Sequence, residues 1–273
     1  MSPLDQPFRH SGAARDTADT LPSDRRADLI RDVAARLLVP ALLARFGTPP
    51  VGTWRSDAAA LAGRLGELPL TEAVAALADL NPGGQMFRPV CRDIILPAAL
   101  GLRRGHGPGD EAERLARVWR LRMCVQSLDD SGPGARSLRG GLFSALALTG
   151  ARQAPSVEHG VALRFFDRAG WQVCDSGRDD ADEACDSAHD RAFDVAWISL
   201  GPGMDRAGIR ATARDIRRAS CNAGILVLGG GMAGLHPEDP ADLDLDGYTG
   251  SPIEAAVIAE TALRSRRVRH AVQ

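Results

Sequence analysis

The sequence predicts an α/β protein in which an N-terminal helical bundle precedes a doubly wound, parallel, five-stranded domain. Two observations carry that reading. Leu142–Leu148, Trp171–Cys174, Phe193–Ser199 and Ile225–Leu228 are short apolar runs separated by segments of helix length, which is the pattern of parallel strands joined by crossover helices. Upstream of residue 128 no strand pattern interrupts, and apolar residues recur instead at helical spacing.

Residues 1–22 are polar and of mixed charge and lack the apolar core of a signal peptide, so a disordered leader is expected there. Ser23 or Asp24 is placed to cap a helix reaching about Phe46, with Leu29, Ile30, Val33, Leu37, Leu38, Leu42 and Leu43 near one face. Pro40 should kink or split it. Further helices are predicted over Asp57–Leu65 and Glu72–Leu80, the second stopped by Asn81-Pro82-Gly83-Gly84. Two more follow at about Gln85–Leu102, with Pro89 and Pro97 inside it, and Asp110–Ser127, where Trp119 reads as a core residue. Together these make residues 23–128 a bundle.

Residues 129–139 open with Asp129-Asp130-Ser131-Gly132-Pro133-Gly134, a turn-rich polar segment that reads as a linker. The α/β domain then spans residues 140–265 and ends on the amphipathic stretch Pro252–Arg264. Residues 266–273 are expected to be a frayed, solvated basic tail.

Composition removes several function classes. The net charge is -2 and no run of eighteen apolar residues occurs, so neither direct nucleic-acid binding nor a membrane span is expected, and a cytoplasmic protein is the simplest reading. The 5 cysteines are scattered and never form a Cys-x-x-Cys pair, which argues for reduced thiols over a disulfide framework or structural zinc. All 33 basic residues are arginines. Without lysine there is no Schiff base, no Walker-type phosphate lysine and no phospho-receiver site of the response-regulator kind.

In open parallel sheets ligands sit at the carboxyl ends of the strands. The loops there would be Thr149–Glu158, Leu200–Asp205 and Gly229–Gly231. Ser199, Gly201, Gly203, Gly229, Gly230 and Gly231 would let a flat ligand approach the backbone, or would simply make tight turns. The carboxylates between Asp175 and Asp190 read as a solvated acidic face and a candidate partner surface. Ser199 and Ser220 lack a nucleophile-elbow context, and no enzyme signature is satisfied, so no catalytic activity is expected.

The order of bundle, linker and α/β domain resembles cobalamin-binding modules. Val161–Val173, with its Phe-Phe-x-Arg-Ala-Gly-Trp run, Phe193–Ser199, Ile216–Asn222 and the Gly229–Gly231 turn are similar to the AerR/PpaA group of photosynthesis-gene regulators in purple bacteria. That resemblance implies a tetrapyrrole sensor or interaction module that acts as an antirepressor on a CrtJ/PpsR-type DNA-binding repressor. It also implies cobalamin as cofactor, with haem as an alternative through His106, His159 or His236. The family's first-loop pattern, Asp/Glu-x-His-x-x-Gly, falls on Gln153, Pro155 and Glu158, and proline cannot ligate cobalt. His159 is the nearest imidazole, either a metal ligand or a capping or surface histidine. The bundle aromatic expected over the corrin falls near Arg104–His106, where there is none. The competing reading is a corrinoid-carrier subunit of a methyl-transfer or radical system.

Overall fold

The computed structural model describes residues 51–81, 86–104, 111–128, 143–149, 156–176, 181–201, 205–231 and 240–271. The leader, the expected helix ending near Phe46 and the linker lie outside them, as do Gly203, His106 and His236. Gly52–Gln273 form one compact unit.

Its helical half contains α1 (Val51–Arg64), α2 (Leu70–Leu80), α3 (Phe87–Val90), α4 (Leu96–Arg104) and α5 (Glu111–Ser127). A π turn, Cys91–Ile95, joins α3 to α4. The sequence places Pro89 and Pro97 inside this helical stretch, and the widened turn accommodates the second of them. Pro97 has no N–H, and its ring would crowd the carbonyl of Asp93 in an ordinary helical turn. Leu96 N–H instead reaches back to the Cys91 carbonyl, five residues earlier.

The second half alternates β1 (Ser144–Thr149), α6 (Val157–Arg168), β2 (Gln172–Asp175), α7 (Ala181–Asp190), β3 (Val195–Ser199), α8 (Arg206–Ala219), β4 (Leu226–Gly230), β5 (Gly247–Thr249) and α9 (Ala255–Ala271). All strand pairs are parallel, in the order β2-β1-β3-β4-β5. The predicted architecture is therefore the observed one. Two pairs of side chains explain why the sheet is covered on both faces. Leu146 and Leu148 of β1 pack with Ala184 and Ala188 of α7 and Ile209 of α8, while Ala145 and Ala147 face Phe166 of α6 and Ala259 of α9.

Helical half and sheet meet on α6. Its outer face gives Val157 and Val161 to the core of the helical half, joined by Ile253. Phe165 packs on Phe87 with ring centroids 5.2 Å apart, and the Arg168 guanidinium stacks over the same ring at 4.5 Å. The Arg164 guanidinium donates to the Leu128 carbonyl at 3.0 Å, and Arg88 pairs with Glu254.

Three sequence expectations change. Trp119 is 54% exposed rather than in the core. The inward residues of α5 are Leu121, Cys124 and Val125, and two positions at 100° each put Trp119 on the opposite side from Leu121. Gly229 and Gly230 belong to β4 and not to a turn. The basic stretch up to His270 is helical rather than frayed; its arginines are good helix formers, and Arg264 and Glu260 pair one turn apart at 3.0 Å.

The glycines make contrasting predictions. A Cβ on Gly231 would overlap the Leu200 carbonyl oxygen, whereas Gly63, in α1, has open space around it. Gly231→Ala should cost about 2–3 kcal/mol by overpacking. Gly63→Ala should add about 0.5–1 kcal/mol. Urea denaturation of both variants checks the pair.

The thiols offer a second test. Burial pushes the Cys91 thiol up to about 12 and the Cys124 thiol to about 11, while Cys221 is exposed. At pH 8 the folded chain should react with a disulfide reagent at Cys221 and leave Cys91 and Cys124 untouched until it unfolds. Peptide mapping that finds Cys91 labelled in the native state would contradict this packing.

Candidate functional site

After β1 the chain turns outward to β2 and then crosses to β3, so the strand order reverses between β1 and β3. Four carboxyl ends lie about that switch point. Thr149 of β1 is in register with Ser199 of β3, and Ser199 with Gly230 of β4. Asp175 closes β2. The helix that follows β1 starts there too, with Ser156 as its N-cap accepting the His159 backbone N–H at 3.1 Å.

That cap fixes where His159 points. Its ring lies between two strand ends, with Nδ1 2.8 Å from Ser199 Oγ and Nε2 3.0 Å from Asp175 Oδ1. Trp197, two residues before Ser199 and so on the same face of β3, donates its indole N–H to Ser199 Oγ at 3.0 Å. His159 is 1% exposed and Trp197 fully buried. Only the Asp175 carboxylate, 36% exposed, touches solvent.

Hydrogen-bond arithmetic gives the chain a direction. An ionised carboxylate can only accept, so the His159 ring donates its Nε2–H to Asp175, and in the neutral ring Nδ1 is left to accept from the Ser199 hydroxyl, whose oxygen also accepts the Trp197 indole N–H. Each polar atom on the interior part of this relay is satisfied, which is the condition for burying it.

An Asp–His–Ser chain is also the pattern of a hydrolase relay. The surroundings differ in the respect that matters. Ser199 Oγ is held between the Trp197 indole and the His159 ring, inside the layer where Phe166 lies edge-on to Trp197 at 5.8 Å. A substrate carbonyl would have to displace that core to reach the hydroxyl. The arrangement can hold a proton in place and tie three elements together.

The glycine row is filled by the protein itself. A Cβ at Gly230 would strike Trp197 Cη2, and one at Gly229 would come within 2.7 Å of Leu245 Cδ1. With Gly231 against Leu200, these residues permit close packing of the strand ends. Gly201 is buried just after β3. The structure thus brings His159 and Ser199 together, packs Gly230 against Trp197, and sets Gly229 against Leu245 and Leu200. Asp175, assigned from sequence to a solvated acidic face, is instead the partner of His159. Its position at the end of an apolar strand was the available signal.

Among the described residues no group of three His, Cys, Asp or Glu is placed to hold a metal ion. On α7, Asp182, Glu183, Asp186 and Asp190 are exposed. A separate, half-open cavity of about 660 Å³ lies in the helical half, lined by Ala62, Gly63, Gly101, Glu67 and Asp93 among others. The Arg92 guanidinium holds the Asp93 carboxyl below the usual carboxylate range, assisted by the Trp54 indole N–H at 2.9 Å.

No protein-family model matches the sequence, and no curated protein matches it. Solved structures do. The chain superposes on the monomethylamine corrinoid protein of Methanosarcina barkeri with a TM-score of 0.51 at 13% identity, covering 76% of this chain and 95% of that one. A cobalamin-binding protein from Desulfitobacterium hafniense DCB-2 gives 0.43 at 14% identity, over 71% of this chain and 98% of that one. A methanol:cobalamin methyltransferase complex from Methanosarcina barkeri gives 0.41 at 12%, over 87% and 92%. The first of these shows a shared fold.

Two substitutions test the relay. Trp197→Phe keeps most of the ring volume and removes the N–H, which should cost about 1–2 kcal/mol. Ser199→Ala should cost a similar amount, and the double variant less than the sum, with a coupling of about 1 kcal/mol. Additive losses in chemical denaturation would mean that the two side chains do not share a bond.

Proposed function

We propose that this chain is a regulator that acts through contact with another protein, built on the fold of corrinoid modules and responsive to a tetrapyrrole at the carboxyl edge of its sheet. The observation that carries this reading is the joint on α6. Phe165, Phe166, Arg168 and Trp171 belong to the segment that resembles the AerR/PpaA regulators. In the structure Phe165 and Arg168 grip Phe87 of the helical half, while Phe166 and Trp171 pack at 5.1 Å under the sheet. A helix that holds the helical half with one face and the sheet with the other can turn a change at the strand ends into a change in how the two pack. The partner expected from the resemblance is a CrtJ/PpsR-type repressor.

The described residues do not fit a cobalt ion ligated by this chain. Both ring nitrogens of His159 are in use, and the spaces beside Gly229 and Gly230 hold Leu245 and Trp197. A corrinoid is compatible with them only as a plate resting above the strand ends. It would then be a ligand recognised by shape.

The second reading is a corrinoid-carrier subunit of a methyl-transfer system, and the likeness to the monomethylamine corrinoid protein favours it. The two readings part in one experiment. The full chain is mixed with a CrtJ/PpsR-type repressor, with and without hydroxocobalamin or haemin, and the complex is followed by calorimetry alongside the corrin and Soret bands. A complex whose affinity changes severalfold on adding one of these ligands, and is insensitive to it in Phe87→Ala, supports the regulator. Absence of any complex, together with methyl transfer from the methylcobalamin-loaded chain to a thiol acceptor, would replace it with the carrier.

A further inference from the structure

We infer that His159 is a positioning residue and that a corrinoid bound at this edge carries no imidazole from α6 on its cobalt. The inference rests on the reading of the strand ends as a tetrapyrrole site and specifies how the metal is not held there.

A metal takes a ring nitrogen by its lone pair. Nδ1 carries the ring's lone pair in the neutral tautomer that the Asp175 carboxylate favours, and that nitrogen points inward to Ser199 at 2.8 Å. Nε2 carries the proton and spends it on Asp175 at 3.0 Å. Moving the proton to Nδ1 would set the Nε2 lone pair against the Asp175 carboxylate and leave the Ser199 hydroxyl proton without its acceptor. Ligation would therefore require the ring to leave both partners and a site that is 1% exposed. The backbone resists that movement as well, because the His159 N–H is held by the Ser156 cap.

What the imidazole does instead is visible in its neighbours. Asp175 ends β2, Ser199 ends β3, and Ser156 starts α6. One ring ties two strand ends to a helix start and so sets the wall of the crevice on which a flat ligand would rest. The position that a lower axial histidine would take in the resembling family is Pro155 here, which offers no lone pair. The relay and the proline agree.

The test is long-range ¹H–¹⁵N NMR on the full chain labelled with ¹⁵N-histidine, at neutral pH, before and after saturation with hydroxocobalamin. His159 is assigned with His159→Gln. An Nε2–H tautomer for His159 in both states supports the inference, as does a cobalt absorption spectrum of the bound hydroxocobalamin that is the same in His159→Gln as in the parent. Loss of that signature on adding the corrinoid overturns it. So does an affinity drop of about a hundredfold or more in His159→Ala with a change in the cobalt spectrum, the size expected when a metal site is dismantled. If hydroxocobalamin does not bind, the tetrapyrrole reading falls. The tautomer in the free chain then still decides the role of His159, with an Nδ1–H or doubly protonated ring counting against it.

Discussion

A buried indole N–H has to find an acceptor, and in this chain that single requirement organises the switch point of the sheet. Trp197 is the largest fully buried side chain, and its burial removes roughly 150–250 Å² of surface from water, a stabilisation of several kcal/mol that an orphaned donor would erode. Ser199 is the acceptor because alternate residues of a strand share a face. The Ser199 hydroxyl then donates to His159 Nδ1, because the other ring nitrogen gives its proton to the acceptor-only Asp175 carboxylate. The sequence of donations ends at Asp175, where solvent can take over.

This constraint also explains the glycine that ends β4. In register, Trp197 lies opposite Leu228, and Ser199 opposite Gly230. The six-membered ring of the indole extends over Gly230, where any Cβ would collide with it. A glycine row at strand ends is usually read as room for a ligand, and here it is room for a side chain of the same protein. Gly230 and Trp197 are two halves of one packing solution, so neither informs on ligand binding without the other.

The fold was legible because it rests on periodicity. Short apolar runs at crossover spacing predict a parallel sheet whatever their exact neighbours, and all four runs named from sequence became strands. The fifth strand, Gly247–Thr249, is too short and too polar to announce itself. The site was less legible for a physical reason. His159 and Asp175 are 16 residues apart, and their meeting depends on the cap at Ser156 and on where β2 ends, neither of which composition reveals. Asp175 sits next to a run of carboxylates and takes on their character when read in one dimension. Trp119 failed in the opposite sense: a large aromatic suggests a core, yet its helix had already committed Leu121, Cys124 and Val125 to the inner face.

Helix α6 is where these strands of reasoning join. Its first turn is fixed through His159 to the ends of β2 and β3, and its last turns carry Phe165 and Arg168 against Phe87. A helix of 12 residues is about 18 Å long and behaves as a rod, so its two ends cannot move independently. Any displacement imposed on the strand ends must either break the His159 ties or be felt at the aromatic contact with the helical half. Packed interfaces respond to such displacement by switching between arrangements and not by bending smoothly. The relay therefore determines more than the shape of a crevice: by stiffening the coupling between sheet and helix, it decides whether an event at one can be read at the other.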